Sequence, residues 1–457
     1  DMSLSELKAK IERSDNIGWE LEIGSQKSLV HEIDEKAYFQ SFFVSRLTLF
    51  NYKNFSSANG KPFSIHFSPK KNQSPNAILV GINGAGKTNL LTAIARGLSW
   101  LDAGISGEQS QGKRLTESDI SYNQPSSFTE LALSITLPNY SAETRTLILR
   151  TTKKGSTETV TNEVASFRSL GRTLRILANE YGHALPVLLY YPANRFVSKG
   201  IDSGNIRADE NNFSTFPSIN WLIKQFKVIS NPSSEGYASS TLIIEEVKKL
   251  LSKIFETFKN IRLDQSSGED EIILDWRNDL RTKFKDLSLG QKSFMILFLD
   301  ILMNIFLKSK ENISNQRGVL LIDEIENHLH PSWQRKIFPT LKKAFPNIQI
   351  IASTHSPFVI QTVPKSEIYV LDSQYPTDAG HPTSQTEGSQ FDSVIANIFD
   401  LNERGDQEIV NLLSECEAHI RSNQIEIAKR ELEKLKLHFG KDDPYVNFLD
   451  ILLTSKQ

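Results

Sequence analysis

Gly81-Ile-Asn-Gly-Ala-Gly-Lys-Thr88 is a complete G-x-x-x-x-G-K-[ST] string, and its flanks are the ones such a string needs. The apolar run Ala77-Ile-Leu-Val80 before it reads as a buried strand, and Asn89-Leu-Leu-Thr-Ala-Ile-Ala95 after it as the opening of a helix. Between strand and helix, glycines let successive backbone N–H groups close around an anion, and the dipole of the following helix adds positive potential. The reading assigns Asn83, Gly84, Ala85, Gly86, Lys87, Thr88 and Asn89 to the phosphates of a bound nucleotide. Lys87 would reach the phosphates, and Thr88 would hold Mg2+.

Far downstream, Asp286-Leu-Ser-Leu-Gly-Gln-Lys-Ser293 resembles the signature motif of ABC-type ATPases. The apolar stretch from Phe294 to Leu307 follows it, and then Gly318-Val-Leu-Leu-Ile-Asp-Glu324. Four apolar residues ending in two carboxylates read as a buried parallel strand that delivers acids to its C-terminal end. There Asp323 would bind Mg2+, directly or through water, and Glu324 would accept a proton from the attacking water. Next come Ile325-Glu-Asn-His-Leu-His-Pro331, fitting the loop after a Walker B strand, and a second apolar strand, Ile348-Gln-Ile-Ile-Ala-Ser-Thr-His355. His355 stands at that strand's end, within reach of a γ-phosphate. Taken singly these pieces have plain alternatives: a Ser-Gly-Gln turn opening a helix, a capped strand, a satisfied polar histidine. The order phosphate loop, signature, Walker B, Asp-loop, histidine joins them into one nucleotide site.

That order resembles the ABC-type ATPase heads of the RecF, SMC and OLD-like group. Phe43-Val-Ser-Arg-Leu-Thr-Leu-Phe-Asn-Tyr-Lys-Asn-Phe55 is similar to that group's opening strand and turn, and Asp323-Glu-Ile-Glu-Asn-His-Leu-His-Pro331 to its acidic loop. Within the group, the layout and the C-terminal helices resemble the PtuA-type ATPases of Septu and retron-associated anti-phage systems. The resemblance implies an α/β fold: an ABC-type P-loop ATPase head with an antiparallel β subdomain, a helical insertion and a C-terminal helical appendage. It implies ATP and Mg2+ as cofactors. It also implies that Ser288, Gly290 and Gln291 serve the γ-phosphate held by a second copy, in a head-to-head dimer or higher oligomer. The implied partners are a separately encoded HNH-type nuclease and, in retrons, reverse transcriptase with its RNA/DNA product. Leu289 stands where many relatives carry Gly, which leaves the turn conformation of the signature open.

Composition narrows the remaining classes. With 457 residues the chain exceeds one ordinary domain. Its 52 Lys plus Arg against 54 Asp plus Glu give no global field to hold a polyanion, so a nucleic-acid contact must be a local patch. The single cysteine, Cys416, rules out a disulfide framework and reads as a helix-core residue. Lys8, Lys10, Glu12 and Arg13 break any apolar leader, and Asp300 interrupts the most apolar stretch, Phe294 to Leu307, which reads as too short to span a bilayer. A reducing cytoplasm and no membrane partner are the expectations.

By composition the chain divides into a charged N-terminal helical extension (1–40), the first half of the head (41–98), an insertion (99–285), the second half (286–375) and a C-terminal helical segment (376–457). Pro125, Pro138, Pro186, Pro192, Pro217 and Pro232 forbid long heptad arms in the insertion. Within it, Glu130 to Leu137 and Arg145 to Thr151 alternate like a hairpin. The stretches Gly104 to Gly112 and Gly200 to Asn212 read as polar surface loops. Leu185 to Arg195 reads as a further buried strand, similar to one in OLD-like ATPases, ending at an arginine that meets a phosphate or forms a structural ion pair. Lys248, Lys249, Lys253, Lys259 and Arg262 recur at helical spacing across Glu246 to Arg262, either as a solvated face or as a phosphate-binding patch for DNA. At the C-terminus, Gln407 to Gln424 and Ile425 to Gly440 read as two helices, with Asp442 to Leu452 as a third. They are a packing appendage or a docking platform.

No Asp-x-Asp pair occurs, and the nine histidines form no HNH-type group, so no nuclease centre is legible. Two classes of function remain. One is an ATPase switch that controls a separate nuclease; the other is a RecF-like DNA-repair clamp. A transporter ATPase fits less well, because its acidic loop reads differently.

Overall fold

The computed structural model describes residues 39–57, 60–69, 74–107, 109–136, 142–156, 160–193, 199–200, 217–266, 268–309, 316–327, 329–371, 412, 415–420, 422–439 and 444–454. Residues 1–38, Arg195, His328, the stretch 201–212 and residues 376–411 lie outside the described residues.

The first described elements are β1 (Ser41–Phe50) and β2 (Phe63–His66), with a turn at Asn51 to Phe55 after β1. Then β3 (Ala77–Val80) leads into the phosphate loop and α1 (Lys87–Ser106). Strands β4 (Ser126–Thr136) and β5 (Glu143–Thr152) pair antiparallel, Glu130 opposite Ile148, as their alternation predicts. With β1 and β2 they form a four-stranded antiparallel sheet of order β2-β1-β4-β5, the β subdomain of the head.

Helix α2 (Ala165–Tyr181) crosses α1 at glycines. A Cβ on Gly104 would stand 2.5 Å from the carbonyl oxygen of Arg168, and one on Gly171 would stand 2.4 Å from that of Leu101. This corrects both ends of the surface loop read from Gly104 to Gly112, although Gly107, Gln109, Ser110 and Gln111 between them are non-helical and exposed or half-exposed. Gly104 and Ile105 are buried in α1, and Gly112 packs on Trp100, because glycine here permits close helix contact rather than a turn.

Strands β6 (Val187–Tyr191) and β7 (Lys199–Gly200) are followed by α3 (Pro217–Ile229) and α4 (Tyr237–Ile254). A small antiparallel sheet then forms from β8 (Phe258–Asp264), β9 (Glu271–Trp276) and β10 (Arg281–Lys283). The single helix expected over Glu246 to Arg262 is therefore two elements. A bulge between Phe258 and Asn260 puts Phe258 and Ile261 on the buried side three residues apart, which imitates helical spacing. Lys249 pairs with Glu246, Lys259 with Asp279 and Arg262 with Asp275, so three of the five cations of this stretch stand in ion pairs, divided between two elements.

Helix α5 (Leu289–Ser309) precedes β11 (Gly318–Ile322), α6 (Pro331–Ala344), β12 (Ile348–Ser353) and β13 (Ile368–Val370). By length and apolar content alone α5 would cross a membrane, but Phe294, Phe298, Leu299, Ile301, Leu302 and Ile305 are core residues. Its Asp300, 1% exposed, accepts a hydrogen bond from the Tyr191 hydroxyl at 2.7 Å.

The central sheet has the order β13-β3-β12-β11-β6-β7, with its first five strands parallel. Both of its faces are covered, which is why its strands read as nearly continuous apolar runs. Ile78, Val80, Leu320, Ile322 and Ile350 point into a core with α3, α4, α5 and α6. Ala77, Leu79, Val319, Leu321 and Ile351 face α1 and the antiparallel sheet. Strand β6, α3 and α4 come from residues 99–285, so that stretch supplies part of the head's own core. Gln349, fully buried among these apolar residues, joins the two sheets. Its amide accepts from the Val44 N–H at 2.7 Å and donates to the carbonyls of Val44 at 3.0 Å and Pro75 at 2.9 Å.

At the C-terminus, helical residues 415–420 pack with α7 (Ile425–Phe439) and α8 (Pro444–Thr454). Cys416, Ile420, Ala428, Leu432, Leu435, Val446, Leu449 and Leu453 make a core of their own. Burial pushes the Cys416 thiol up to about 12, so it is an inert core group.

Candidate nucleotide site

Strand register brings the motifs together. Ile322 lies opposite Ala352, and Ser353 lies opposite Leu79, so the C-terminal ends of β11, β12 and β3 line one edge of the sheet. Asp323 leaves β11 between the phosphate loop and the tip of β12. The Thr88 hydroxyl donates to its Oδ2 at 2.8 Å, and the Ser353 hydroxyl donates to its Oδ1 at 2.5 Å. A hydroxyl and a carboxylate in contact are hard oxygen donors of the kind Mg2+ takes together with phosphate oxygens. Among the described residues no group of three or more His, Cys, Asp and Glu is arranged to hold a metal by itself.

The loop itself is shaped from below. Gly86 has φ of 98°, and a Cβ there would meet the Asn54 amide at 2.4 Å and the Phe55 ring at 2.7 Å. Asn54 donates to the Gly84 carbonyl at 3.2 Å and accepts from the Asn89 amide at 2.7 Å, so the turn after β1 cradles the loop. That turn is fixed by Asp119, whose backbone carbonyl accepts from the Lys53 N–H at 2.8 Å and whose carboxylate pairs with Arg96 of α1. Asn83 and Gly84 remain exposed, with nothing near Gly84 on the side where a Cβ would stand. Ala85 is buried beneath them.

Lys87 is only 5% exposed, and its ammonium donates to the carbonyls of Gly81 at 2.8 Å and Ile82 at 3.0 Å. Burial lowers its pKa to about 8, against the pull of Glu326, Asp323 and Glu324, which favour the charge. A lysine held among loop carbonyls is a cation poised for an anionic partner. Loop, lysine, hydroxyl and carboxylate together fit Mg-ATP.

Glu324 has φ of 47°, a conformation that non-glycine residues rarely adopt. Its N–H donates to the Ser353 hydroxyl at 2.7 Å, and Asn327 approaches its Oε2 at 3.4 Å while donating to the Ala193 carbonyl at 2.9 Å. The Glu326 carboxylate binds the tip of β12, accepting from the Thr354 hydroxyl at 2.7 Å and from the His355 N–H at 2.6 Å. Burial, and then the nearby Lys87 ammonium, lower the His355 pKa to about 4, so the ring is neutral at physiological pH. His330 caps α6, accepting from the Ser332 N–H.

The signature residues stand apart from these groups. Ser288 and Gln291 form a reciprocal cap at the start of α5: the Ser288 N–H donates to Gln291 Oε1 at 3.1 Å, and the Gln291 N–H donates to the Ser288 hydroxyl at 3.3 Å. Ser288 and Leu289 are exposed and Gly290 partly so. None of the hydrogen bonds recorded for Ser288 or Gln291 among the described residues reaches the phosphate loop. Sequence reading missed Asn54, Glu326, Asn327 and Ser353. Each lay within a quoted string, but a side chain that holds another residue has no spacing rule of its own.

The family model described as AAA domain, putative AbiEii toxin, Type IV TA system matches residues 77–361. The chain belongs to this family. It is similar to the retron Vc95 probable ATPase of Vibrio cholerae serotype O1 biovar El Tor, at 26% identity covering 86% of each chain. It is also similar to the Septu protein PtuA of Bacillus mycoides (strain KBAB4), at 25% identity over 88% of this chain and 52% of that protein. Among solved structures, the Smc head bound to the C-terminal winged-helix domain of ScpA aligns with 74% of this chain and 97% of that one, at 15% identity and a TM-score of 0.43. The structure itself shows the α/β head that the motif order implied: a phosphate loop between β3 and α1 at the C-terminal end of a parallel sheet, with an antiparallel β subdomain beside it.

Proposed function

We propose that this chain is the ATP-hydrolysing switch of a cytoplasmic anti-phage defence complex, and that its nucleotide state controls a separately encoded nuclease. The observation that carries the ATPase reading is Asp323 held between Thr88 and Ser353, with Glu324 beside it and Lys87 among the loop carbonyls. Its likeness to a retron ATPase and to PtuA supports the defence setting.

Bound Mg-ATP would supply a γ-phosphate polarised for attack by water. Thr88 and Asp323 would hold the metal. The backbone N–H groups from Asn83 to Gly86, with Lys87, would orient the phosphates. Glu324 would take the proton of the attacking water, and neutral His355 would hydrogen-bond a phosphate oxygen. Ser288, Gly290 and Gln291, exposed at the head of α5, would complete the site of a second copy, giving two composite sites in an isologous dimer. The motifs include no metal-binding pair for phosphodiester cleavage, so cutting belongs to the partner. That partner is an HNH-type nuclease, joined in a retron setting by reverse transcriptase and its RNA/DNA product. Residues 391–457 are the candidate docking segment.

The test is to purify the chain with its genomic neighbours, identify what accompanies it, and assay ATP turnover and DNA cleavage with and without them. Slow ATP turnover, with no cleavage by the chain alone in Mg2+ or Mn2+, is expected. Metal-dependent cleavage by the isolated chain that survives a Lys87→Ala control would overturn the division of labour. Tight, steeply salt-dependent DNA binding by the isolated chain would favour a DNA clamp instead.

A further inference from the structure

Resting on the ATPase reading, we propose that Ser353 is a positioning residue that sets both acids of the site, through a hydroxyl whose donor and acceptor capacities are used on adjacent residues. Ser353 is fully buried at the end of β12. Its one proton goes to Asp323 Oδ1 at 2.5 Å, and its oxygen accepts from the Glu324 N–H at 2.7 Å. A serine hydroxyl has one donor, so a single group here orients the metal-side carboxylate and fixes the backbone of the next residue.

The second contact matters because Glu324 has φ of 47°. For a residue with a Cβ this conformation costs of order 1–3 kcal/mol and persists only where the surroundings over-determine it. The Glu324 N–H bond to Ser353 is such a determinant, and the Ile325 N–H donating to the Ser353 carbonyl at 2.9 Å is another. Ser353 is itself a fixed anchor. Beyond it the Thr354 N–H donates to the Leu79 carbonyl at 3.1 Å, and the His355 N–H donates to Glu326 at 2.6 Å. The left-handed residue turns the backbone out of the line of β11, whereas an extended residue 324 would continue that line. Asp323 is held from both sides, since its other oxygen accepts from Thr88. The hydroxyl of Ser353 thus transmits the geometry of the sheet to the residue that handles water and to the residue that faces the metal.

The test is Ser353→Ala, which removes one oxygen and adds nothing, compared with Ser353→Thr, which keeps the hydroxyl. Thermal melts establish that each variant is folded. In Ser353→Ala, kcat should fall by about 10–100-fold, the scale of a small misplacement of a reacting group. The dissociation constant of a fluorescent ATP analogue at saturating Mg2+ should change by less than about threefold, while half-saturating Mg2+ should rise several-fold as Asp323 loosens. Saturating Mg2+ should restore binding and leave kcat low, because the loss at Glu324 is not a matter of metal occupancy. Ser353→Thr should recover most of the rate if its melt shows that the extra methyl fits. If it does not fit, a structure of Ser353→Ala decides, and residue 324 should leave the left-handed region. A Ser353→Ala kcat within about twofold of the parent, or one fully restored by Mg2+, would overturn the inference. Failure of the ATPase reading would look different, because the parent chain would then show no ATP turnover sensitive to Glu324→Gln.

Discussion

The edge of the central sheet and the C-terminal helical unit are built on opposite terms. At the sheet edge, the tips of β3, β11 and β12 carry Lys87, Asp323, Glu324 and His355 on short polar segments, and each side chain or backbone is held by a named partner. In the C-terminal unit, Cys416, Ile420, Leu432, Leu435 and Leu449 are held by shape and burial, with substitutable apolar contacts. Chemistry fixes residue identity in the first region, and packing fixes only residue class in the second. Nucleotide turnover should therefore fail by single atoms, and docking by loss of a whole surface.

The widest gap is expected at Glu324. Glu324→Gln should retain Mg-ATP binding while slowing hydrolysis by roughly 10²–10⁴-fold, measured as phosphate release beside equilibrium binding. Lys87→Ala should lose binding itself. Normal turnover in the Glu324→Gln chain would remove that residue as the base.

Ser288→Arg should bind ATP and fail to hydrolyse it, because the cap at the head of α5 is not part of its own phosphate site. Mixed with Lys87→Ala, it should regain one working site per heterodimer. No rescue at any ratio between freely exchanging chains would argue against composite sites.

Deleting residues 391–457 should abolish co-purification with the nuclease and leave ATP binding intact. Leu435→Ala should cost the helical unit about 2–5 kcal/mol, seen by hydrogen exchange, with the ATPase rate within about twofold. A collapse of turnover in Leu435→Ala would show that the two regions are not independent.

The smallest effect concerns pH. The lowered Lys87 pKa, about 8, means the native chain holds fewer protons than the unfolded one between about pH 8 and 10.5. Burial of Lys87 therefore costs stability below pH 8, and that cost is relieved as pH rises through the window. ATP affinity should run the other way, weakening as pH climbs past about 8 and the ammonium is lost. Flat affinity from pH 7 to 9.5 would mean that the bound nucleotide keeps Lys87 charged throughout.

The same contrast explains what the sequence discloses. The phosphate loop, Asp323, Glu324 and the β4–β5 hairpin are legible because each depends on local spacing or alternation. Ser353 and Glu326 act through partners brought near by the parallel register of β11 and β12, which no local pattern encodes. Two features misled. Gly104 reads as a loop residue but serves the crossing of α1 and α2, and the bulge in β8 reproduces helical spacing. In the C-terminal unit the apolar face is legible, because burial needs only residue class. The docking role proposed for it is not, because a partner's surface leaves no periodicity in this chain.

Gln349 bears on how the head can move. Two buried hydrogen bonds between Gln349 and Val44 rivet the antiparallel sheet to the parallel one, and shearing that seam would break both together at about 1–3 kcal/mol for each group left dry. On the opposite face, α3, α4, α5 and α6 meet the sheet mainly through apolar side chains, with the Tyr191–Asp300 hydrogen bond as a buried polar tie between β6 and α5. A rearrangement driven by nucleotide would leave the β subdomain, phosphate loop and β12 as one chassis. Any shift of the helical layer on the other face would carry with it Ser288, exposed at the head of α5.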